Sequence, residues 1–344
     1  MVSTQIACSD DNALIQEPET ELETPAIRVP AEWEPHAATW VQWADDYEVD
    51  VLIAFANFIK VVQQYEPVHL VLNEKFKEYE AETKQILKNN GVADENINYH
   101  SMPIDNSWMR DNGPIYVTDG TKTWIQNWKF NGWGGGFEGE QWGYEAGSTP
   151  YTDDNLIPAK VAEYLGIEVA DHLDYVLEKG NIEVNGKGVL VINWDCQAHR
   201  NPGLTKEQHE EILKKNLGAT KIIWAYGYHK EDGTIGHIDG FARFISENEI
   251  VIADFFNEPN WDREDNLAKA CKAEGIKVYR YDGSLNWLVG NGFVVAMGEK
   301  GYNDKLKAEL EQFFPDRDIY MIDAEAIGKQ GGGIHCVTND QPAF

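Results

Sequence analysis

Three times along this chain, two short runs of strand-forming residues are separated by tight-turn residues and then followed by an amphipathic helix and another strand. Residues 114–125 read as strand, Thr118-Asp119-Gly120-Thr121 and strand. Residues 182–192 repeat the pattern around Val184-Asn185-Gly186-Lys187, and residues 288–297 around Gly290-Asn291-Gly292. Asn-Gly and Asp-Gly supply the positive φ that short hairpin turns demand, so these runs are hairpins. Helical periodicity fits 49–65, 81–89, 156–165, 206–217, 265–274 and 304–314. A doubly wound sheet would need single strands alternating with helices, without hairpins. The recurring hairpin, helix and strand instead predict an α/β fold whose equivalent units pack side by side, as propeller blades do.

At 344 residues and 42% hydrophobic content, the chain can bury a large core. Residues 1–27 are polar and acidic, with Glu17, Glu19, Glu21 and Glu23 alternating among Pro and Thr, and cannot bury enough apolar surface to offset ordering. A flexible tail is expected there, then a single domain over 28–344 with no linker inside it. The net charge of -29 argues against a nucleic-acid partner, which needs clustered Lys and Arg. It would suit a cationic ligand, although plain solubility is the simpler account of charge alone. No apolar run reaches the roughly 18 residues of a membrane span, and no basic region precedes an apolar one at the N-terminus. A soluble, cytoplasmic protein without a membrane partner is expected. Cys8, Cys196, Cys271 and Cys336 are scattered, with no C-x-x-C pair, which fits reduced thiols.

Four clusters could carry chemistry. Gly331-Gly332-Gly333-Ile334-His335-Cys336 places glycines before a cysteine, which lets backbone approach a ligand closely. A buried structural cysteine is the alternative. In Gly236-His237-Ile238-Asp239, continuing to Phe244, a strand would point His237 and Asp239 to one face. A hydrogen-bonded histidine on a half-buried strand would read the same way. Metal ligation needs further donors in register, and no H-E-x-x-H or Cys/His spacing supplies them, so no metal or cofactor is expected. Asp105 to Pro114 is a loop entering a strand; its Arg110-Asp111 pair could be a surface ion pair, but Trp108 and Met109 beside it argue against full solvation. Glu178-Lys179-Gly180-Asn181 leads into the second hairpin. Eight of the twelve tryptophans, Trp133 among them, fall in the first half and could line a site.

Together these clusters resemble the agmatine deiminase and bacterial peptidylarginine deiminase family, within the guanidino-modifying pentein superfamily. The resemblance runs from about Pro30 to Gln341 and is carried by segments 30–43, 108–114, 128–135, 200–204, 236–239 and 331–338. It implies a five-bladed α/β propeller with a central site. It implies hydrolysis of a small cationic guanidino compound, agmatine first, to N-carbamoylputrescine and ammonia, a step towards putrescine and polyamines. Cys336 matches the nucleophile that forms a covalent thiouronium, and His237 the general acid and then base. Glu178 matches the carboxylate supporting that histidine, and Asp111 and Asp239 match the two guanidinium-binding aspartates. Asn286 matches a further active-site asparagine, and Trp108, Trp133 and Gly333 fall where substrate contacts are expected. The alternatives are a deiminase of free or peptidyl arginine, an amidinotransferase, or an inactive guanidine-binding protein; a homo-oligomer stays open.

Three departures from the family bear on the substrate's far end. Lys179 stands where relatives usually carry glycine, Gly240 where many carry Asn or a larger residue, and the stretch after Trp43 lacks a typical proline. Lys179 is expected to point out to solvent on its flexible stem; the alternative is that it turns inward to read an anionic substrate tail.

Overall fold

The computed structural model describes residues 26–43, 48–135, 151–228, 232–254, 262–298 and 303–343. Most of the acidic tail, Cys8 and the stretch after Trp43 (residues 44–47) lie outside the described residues. Each tight-turn sequence forms a hairpin, and each hairpin is completed by a parallel third strand reached through a helix.

The first sheet holds β1 (His36–Trp43), β2 (Val68–Asn73) and β3 (Ile97–Met102), linked by α1 (Val49–Val62) and α2 (Glu80–Asn89). After α3 (Met109–Asn112) come β4 (Ile115–Thr118), β5 (Thr123–Lys129), α4 (Ile157–Leu165) and β6 (Val169–Val176). The next unit is β7 (Ile182–Val184), β8 (Val189–Asn193), α5 (Trp194–Arg200), α6 (Lys206–Leu217) and β9 (Lys221–Ala225). Then follow β10 (Ala242–Ser246), β11 (Glu249–Ala253), α7 (Arg263–Ala273) and β12 (Lys277–Tyr281). The last unit is β13 (Leu288–Gly290), β14 (Phe293–Met297), α8 (Asn303–Phe313) and β15 (Asp318–Ile322), before α9 (Glu325–Gly328) and β16 (Thr338–Pro342).

Among the described residues, the result is a mixed α/β fold of five separate small sheets. In four of them an antiparallel pair is followed by a parallel strand, as in β7–β8–β9, where Val191 faces Glu183 on one side and Ile223 on the other. The fifth obtains its antiparallel partner from the far end of the chain: β16 pairs with β1, Thr338 opposite Val41 and Asn339 opposite Trp40.

Local chemistry explains the boundaries. Thr205 caps α6 in a reciprocal capping box with Gln208, and Gly218 ends it at φ +68, a left-handed residue that glycine adopts without strain. The expected helix over 49–65 stops at Val62, because Gln64 and Tyr65 donate to carbonyls three residues back and tighten into a turn. The apolar face of α1 buries Phe55, Phe58, Ile59 and Val62 against Val68, Leu70, Phe293 and Val295. Each such side chain is worth roughly 1.5–3 kcal/mol.

The final strand behaves differently. Thr338, Asn339, Asp340 and Gln341 are polar and yet all buried, as are Arg110, Glu183, Arg243 and His335, with Glu32 half-buried beside them. Buried charges persist only when paired, so each of these groups needs a partner inside the protein. Among the described residues, no helix is long and apolar enough to cross a membrane.

Candidate active site

The segment between α9 and β16 carries Cys336. Gly331 adopts φ +101, and a Cβ at Gly333 would lie 2.5 Å from Asn286 Oδ1 and 2.6 Å from Met297 Sδ. A Cβ at Gly332 would run into the Trp108 ring. The glycines are therefore required by close packing. Asn286 then grips the nucleophile candidate twice: Cys336 N donates to its Oδ1 at 3.1 Å, and its Nδ2 donates to Cys336 Sγ at 3.0 Å. Sγ lies 3.6 Å from Asp239 Oδ2. Cys336 stays partly accessible to solvent, yet the surrounding protein pushes its thiol well above the ordinary value, and the Asp239 and Asp111 charges add to the rise.

On α3, Asp111 is buried and accepts a 2.9 Å hydrogen bond from Trp133 Nε1 on its Oδ2. Gly132, Trp133 and Gly134 all have positive φ, a run of left-handed backbone that aims the indole inward. Among the described residues, neither Asp111 Oδ1 nor His237 Nδ1 has a hydrogen-bond partner, and the two face each other at 3.5 Å. Gly180 packs against both atoms: a Cβ there would lie 2.5 Å from Asp111 Oδ1 and 2.6 Å from His237 Nδ1. The other ring nitrogen, His237 Nε2, meets Glu178 Oε2 at 2.6 Å. Burial opposes charge on this ring, but Asp111, Cys196 and Glu178 together hold its pKa well above the usual imidazole value. Burial raises Asp111, helped by Asp239 and Glu178 and opposed by His237, leaving it at about 6. Burial alone would raise Glu178 too, but Arg200 and His237 outweigh it and bring it to about 2.

The expected strand through His237 does not form. Ile235 at φ +62 and Gly236 at φ +88 reverse the chain, residues 238–240 make a 3₁₀ turn, and β10 begins only at Ala242. The turn still delivers both side chains to the interior, His237 towards Asp111 and Asp239 towards Cys336. The Arg110-Asp111 pair is not a surface ion pair either: both are buried, and Arg110 Nη1 binds Asp340 Oδ1 at 2.6 Å.

Lys179 is the other correction. It does not reach solvent: it is only 8% exposed, and its Nζ lies 2.7 Å from Asp340 Oδ1, the carboxylate it shares with Arg110. Burial lowers its pKa to about 8 despite Asp340. It ends beside a cavity of about 30 Å³ lined by Glu32, Arg110, Glu183, His335 and Asp340. Its charge is thus matched inside the protein.

Several contributors carried no role in the sequence reading. Arg200 clamps Glu178 through Nε to Oε1 at 2.6 Å and Nη2 to Oε2 at 3.2 Å. His335 bridges Asp239 Oδ2 and Glu32 Oε2, each at 2.8 Å, and Glu32 accepts from Arg243 Nη2 at 2.6 Å. Burial would raise Asp239, but His335 outweighs it and keeps the carboxyl below its ordinary value. Glu32 and Arg200 do lie in motif segments, which is the signal that could have found them. Glu178, Cys196 and His237 also bring a carboxylate oxygen, a sulfur and a ring nitrogen within 4.8 Å of one another, a donor set that no spacing in the sequence reveals.

A family profile described as Porphyromonas-type peptidyl-arginine deiminase matches residues 28–283 and 277–342. The chain is similar to the agmatine deiminase of Stutzerimonas stutzeri, at 30% identity covering 92% of this chain and 95% of that one. It is likewise similar to the agmatine deiminase of Ectopseudomonas mendocina, at 29% identity covering 92% and 96%. It shares its fold with the solved agmatine deiminase of Enterococcus faecalis, with a TM-score of 0.81 at 23% identity over 92% of this chain and 96% of that one.

Proposed function

Because the chain belongs to the Porphyromonas-type peptidyl-arginine deiminase family, we propose that it hydrolyses agmatine to N-carbamoylputrescine and ammonia at Cys336. The five sheets, each built on one plan, are read as the blades of a five-bladed propeller forming one catalytic domain over 28–344.

The observation that carries the reading is the pair of buried carboxylates beside the thiol, with Asp111 Oδ1 accepting no hydrogen bond among the described residues. A guanidinium is planar, permanently charged and an array of donors. Between Asp111 and Asp239 it would satisfy the unpartnered acceptor, and its positive charge would offset the two negative charges that keep Cys336 protonated. Substrate binding therefore favours the thiolate, and the thiol proton leaves for solvent. Sγ then bonds to the guanidinium carbon. His237, charged in the free protein, gives a proton to the departing nitrogen; the C–N bond breaks, releasing ammonia and leaving a cationic thiouronium on Cys336. Neutral His237 next takes a proton from water, whose oxygen adds to the same carbon. The C–S bond breaks to give the ureido product, and the thiolate is reprotonated. Glu178, fixed by Arg200, orients the ring throughout.

The net charge of -29 supports a cationic substrate, and a nucleophilic thiol supports a reducing, cytoplasmic setting. Lys179, held by Asp340, offers no charge for the carboxylate of arginine, which favours agmatine. The test is an assay of ammonia and ureido product from agmatine, arginine and a peptide arginine without any acceptor amine. Stoichiometric release from agmatine is expected. Amidino transfer that requires an added amine, or a preference for arginine, would overturn the proposal.

A further inference from the structure

We propose that Glu178, Cys196 and His237 form a binding site for a thiophilic divalent cation, with zinc the best fit, and that its occupancy switches the enzyme off. The inhibitory half rests on the function proposed above; the binding half does not.

The donors are buried and prearranged. Glu178, Cys196 and His237 are 1%, 0% and 5% exposed. Nε2 of His237 is 2.6 Å from Oε2 of Glu178, and Sγ of Cys196 is 4.0 Å from that same oxygen. Tetrahedral zinc, with bonds of about 2.3 Å to sulfur and about 2.0–2.2 Å to nitrogen and oxygen, wants its donors roughly 3.3–3.7 Å apart. One separation lies below that range and the other above it, and all three donor atoms lie within 4.8 Å of one another, so a cation entering between them would draw them into range. The Asn193 side chain caps α5 by accepting from Asp195 N and Cys196 N, which fixes the turn carrying the sulfur. Arg200, from the end of the same helix, fixes the carboxylate. A sulfur, an imidazole and a single carboxylate favour zinc or cobalt over magnesium or calcium, which take oxygen ligands.

Charge also permits the exchange. The incoming cation replaces the proton shared by His237 Nε2 and Glu178, and the proton on Cys196 Sγ. Two protons leave as two positive charges enter, so the buried cluster, Arg200 included, keeps its net charge. An unmatched buried charge is the usual obstacle to such a site, and none arises here.

Occupancy silences the histidine. With the metal on Nε2 and a proton on Nδ1, the ring has no lone pair left to take a proton from water, and its acidic form is lost. The ring that faces Asp111 on one side is the ligand on the other.

The competing thiolate ligand is Cys336, so the binding test uses the full-length Cys336→Ser protein titrated with cobalt(II). One equivalent is expected to bind, with a thiolate-to-cobalt charge-transfer band that disappears when Cys196→Ser or Cys196→Ala is added. Both second variants are checked for an unchanged melting profile, so that one misfolded protein does not decide the matter. In wild type, zinc is expected to inhibit agmatine hydrolysis reversibly on chelation, and Cys196→Ser should need at least about tenfold more zinc. A band absent from Cys336→Ser, a band unchanged by loss of Cys196, or equal zinc sensitivity with and without Cys196 would each overturn the site. The cobalt measurement needs no turnover. A protein that binds cobalt through Cys196 but never deiminates would therefore refute the proposed function and leave the metal site standing.

Discussion

Asp239 and His335 are joined by a 2.8 Å hydrogen bond between carboxylate Oδ2 and ring Nδ1, which ties the carboxylate nearest the Cys336 thiol to the residue immediately before that cysteine. Glu32 holds the other ring nitrogen, so the contact is fixed from behind. His335 keeps Asp239 ionised below its ordinary pKa, so His335→Ala should weaken the hold of that carboxylate on a guanidinium. Loss of a charged hydrogen bond worth about 1.5–3 kcal/mol predicts a roughly 10- to 100-fold fall in kcat/KM. An unchanged kcat/KM would reduce His335 to packing.

Cys336→Ala should abolish turnover while the protein stays folded, because a small deletion at a partly accessible position need not disturb the core. Asp111→Asn and Asp239→Asn should each cost on the order of 2–5 kcal/mol in kcat/KM by removing one partner of a desolvated charge pair. Steady-state kinetics with circular dichroism checks all three. Near-normal turnover in Cys336→Ala would end its role as nucleophile.

Gly180→Ala places a methyl 2.5 Å from Asp111 Oδ1 and 2.6 Å from His237 Nδ1. It should push those groups apart and lower kcat by more than about tenfold, while Tm changes little because no apolar core is touched. Unimpaired kinetics would show that the two atoms need not face each other.

Asp111 should set the acid side of the pH profile. Its carboxyl is raised to about 6, so below that pH most molecules carry it neutral and unable to pair with a guanidinium. kcat/KM, which reports the free enzyme, should fall as pH drops through about 6, and Asp111→Asn should remove that limb. An acid limb nearer 4 would mean that Asp111 ionises as an ordinary carboxyl.

Lys179→Gly should change the agmatine to arginine ratio of kcat/KM by less than about tenfold, or 1.4 kcal/mol, because its ammonium is bound to Asp340. It should still lower stability by roughly 1–3 kcal/mol, since Asp340 keeps Arg110 but loses one buried partner. Substrate comparison and denaturant unfolding read the two effects separately. A large swing towards agmatine would mean that Lys179 reads the substrate after all.

What the sequence disclosed follows the range of the interactions involved. The hairpins at Gly120, Gly186 and Gly292 and the helix ended by Gly218 were legible because turn and cap chemistry is local. The turn at His237 was not, because nothing in its sequence demands that Ile235 take a positive φ; tertiary packing does. Lys179 was misread for a related reason. Its partner lies 161 residues away in a strand whose polar residues give no hint that they are buried. Glu32 and His335, 303 residues apart, meet only once the first and last strands pair.

That pairing has a consequence for how activity arises during synthesis. Cys336 lies just before β16, the strand that completes the sheet begun by β1. Closing a loop of about 300 residues costs roughly 5 kcal/mol in chain entropy on a flexible-chain estimate, a cost that shrinks as the intervening units fold. A ribosome-bound chain can build the intervening units in order, yet it holds neither nucleophile nor closing strand until both emerge almost together. Chemistry and structural closure thus become one late event, and turnover reports on whether translation has passed this point.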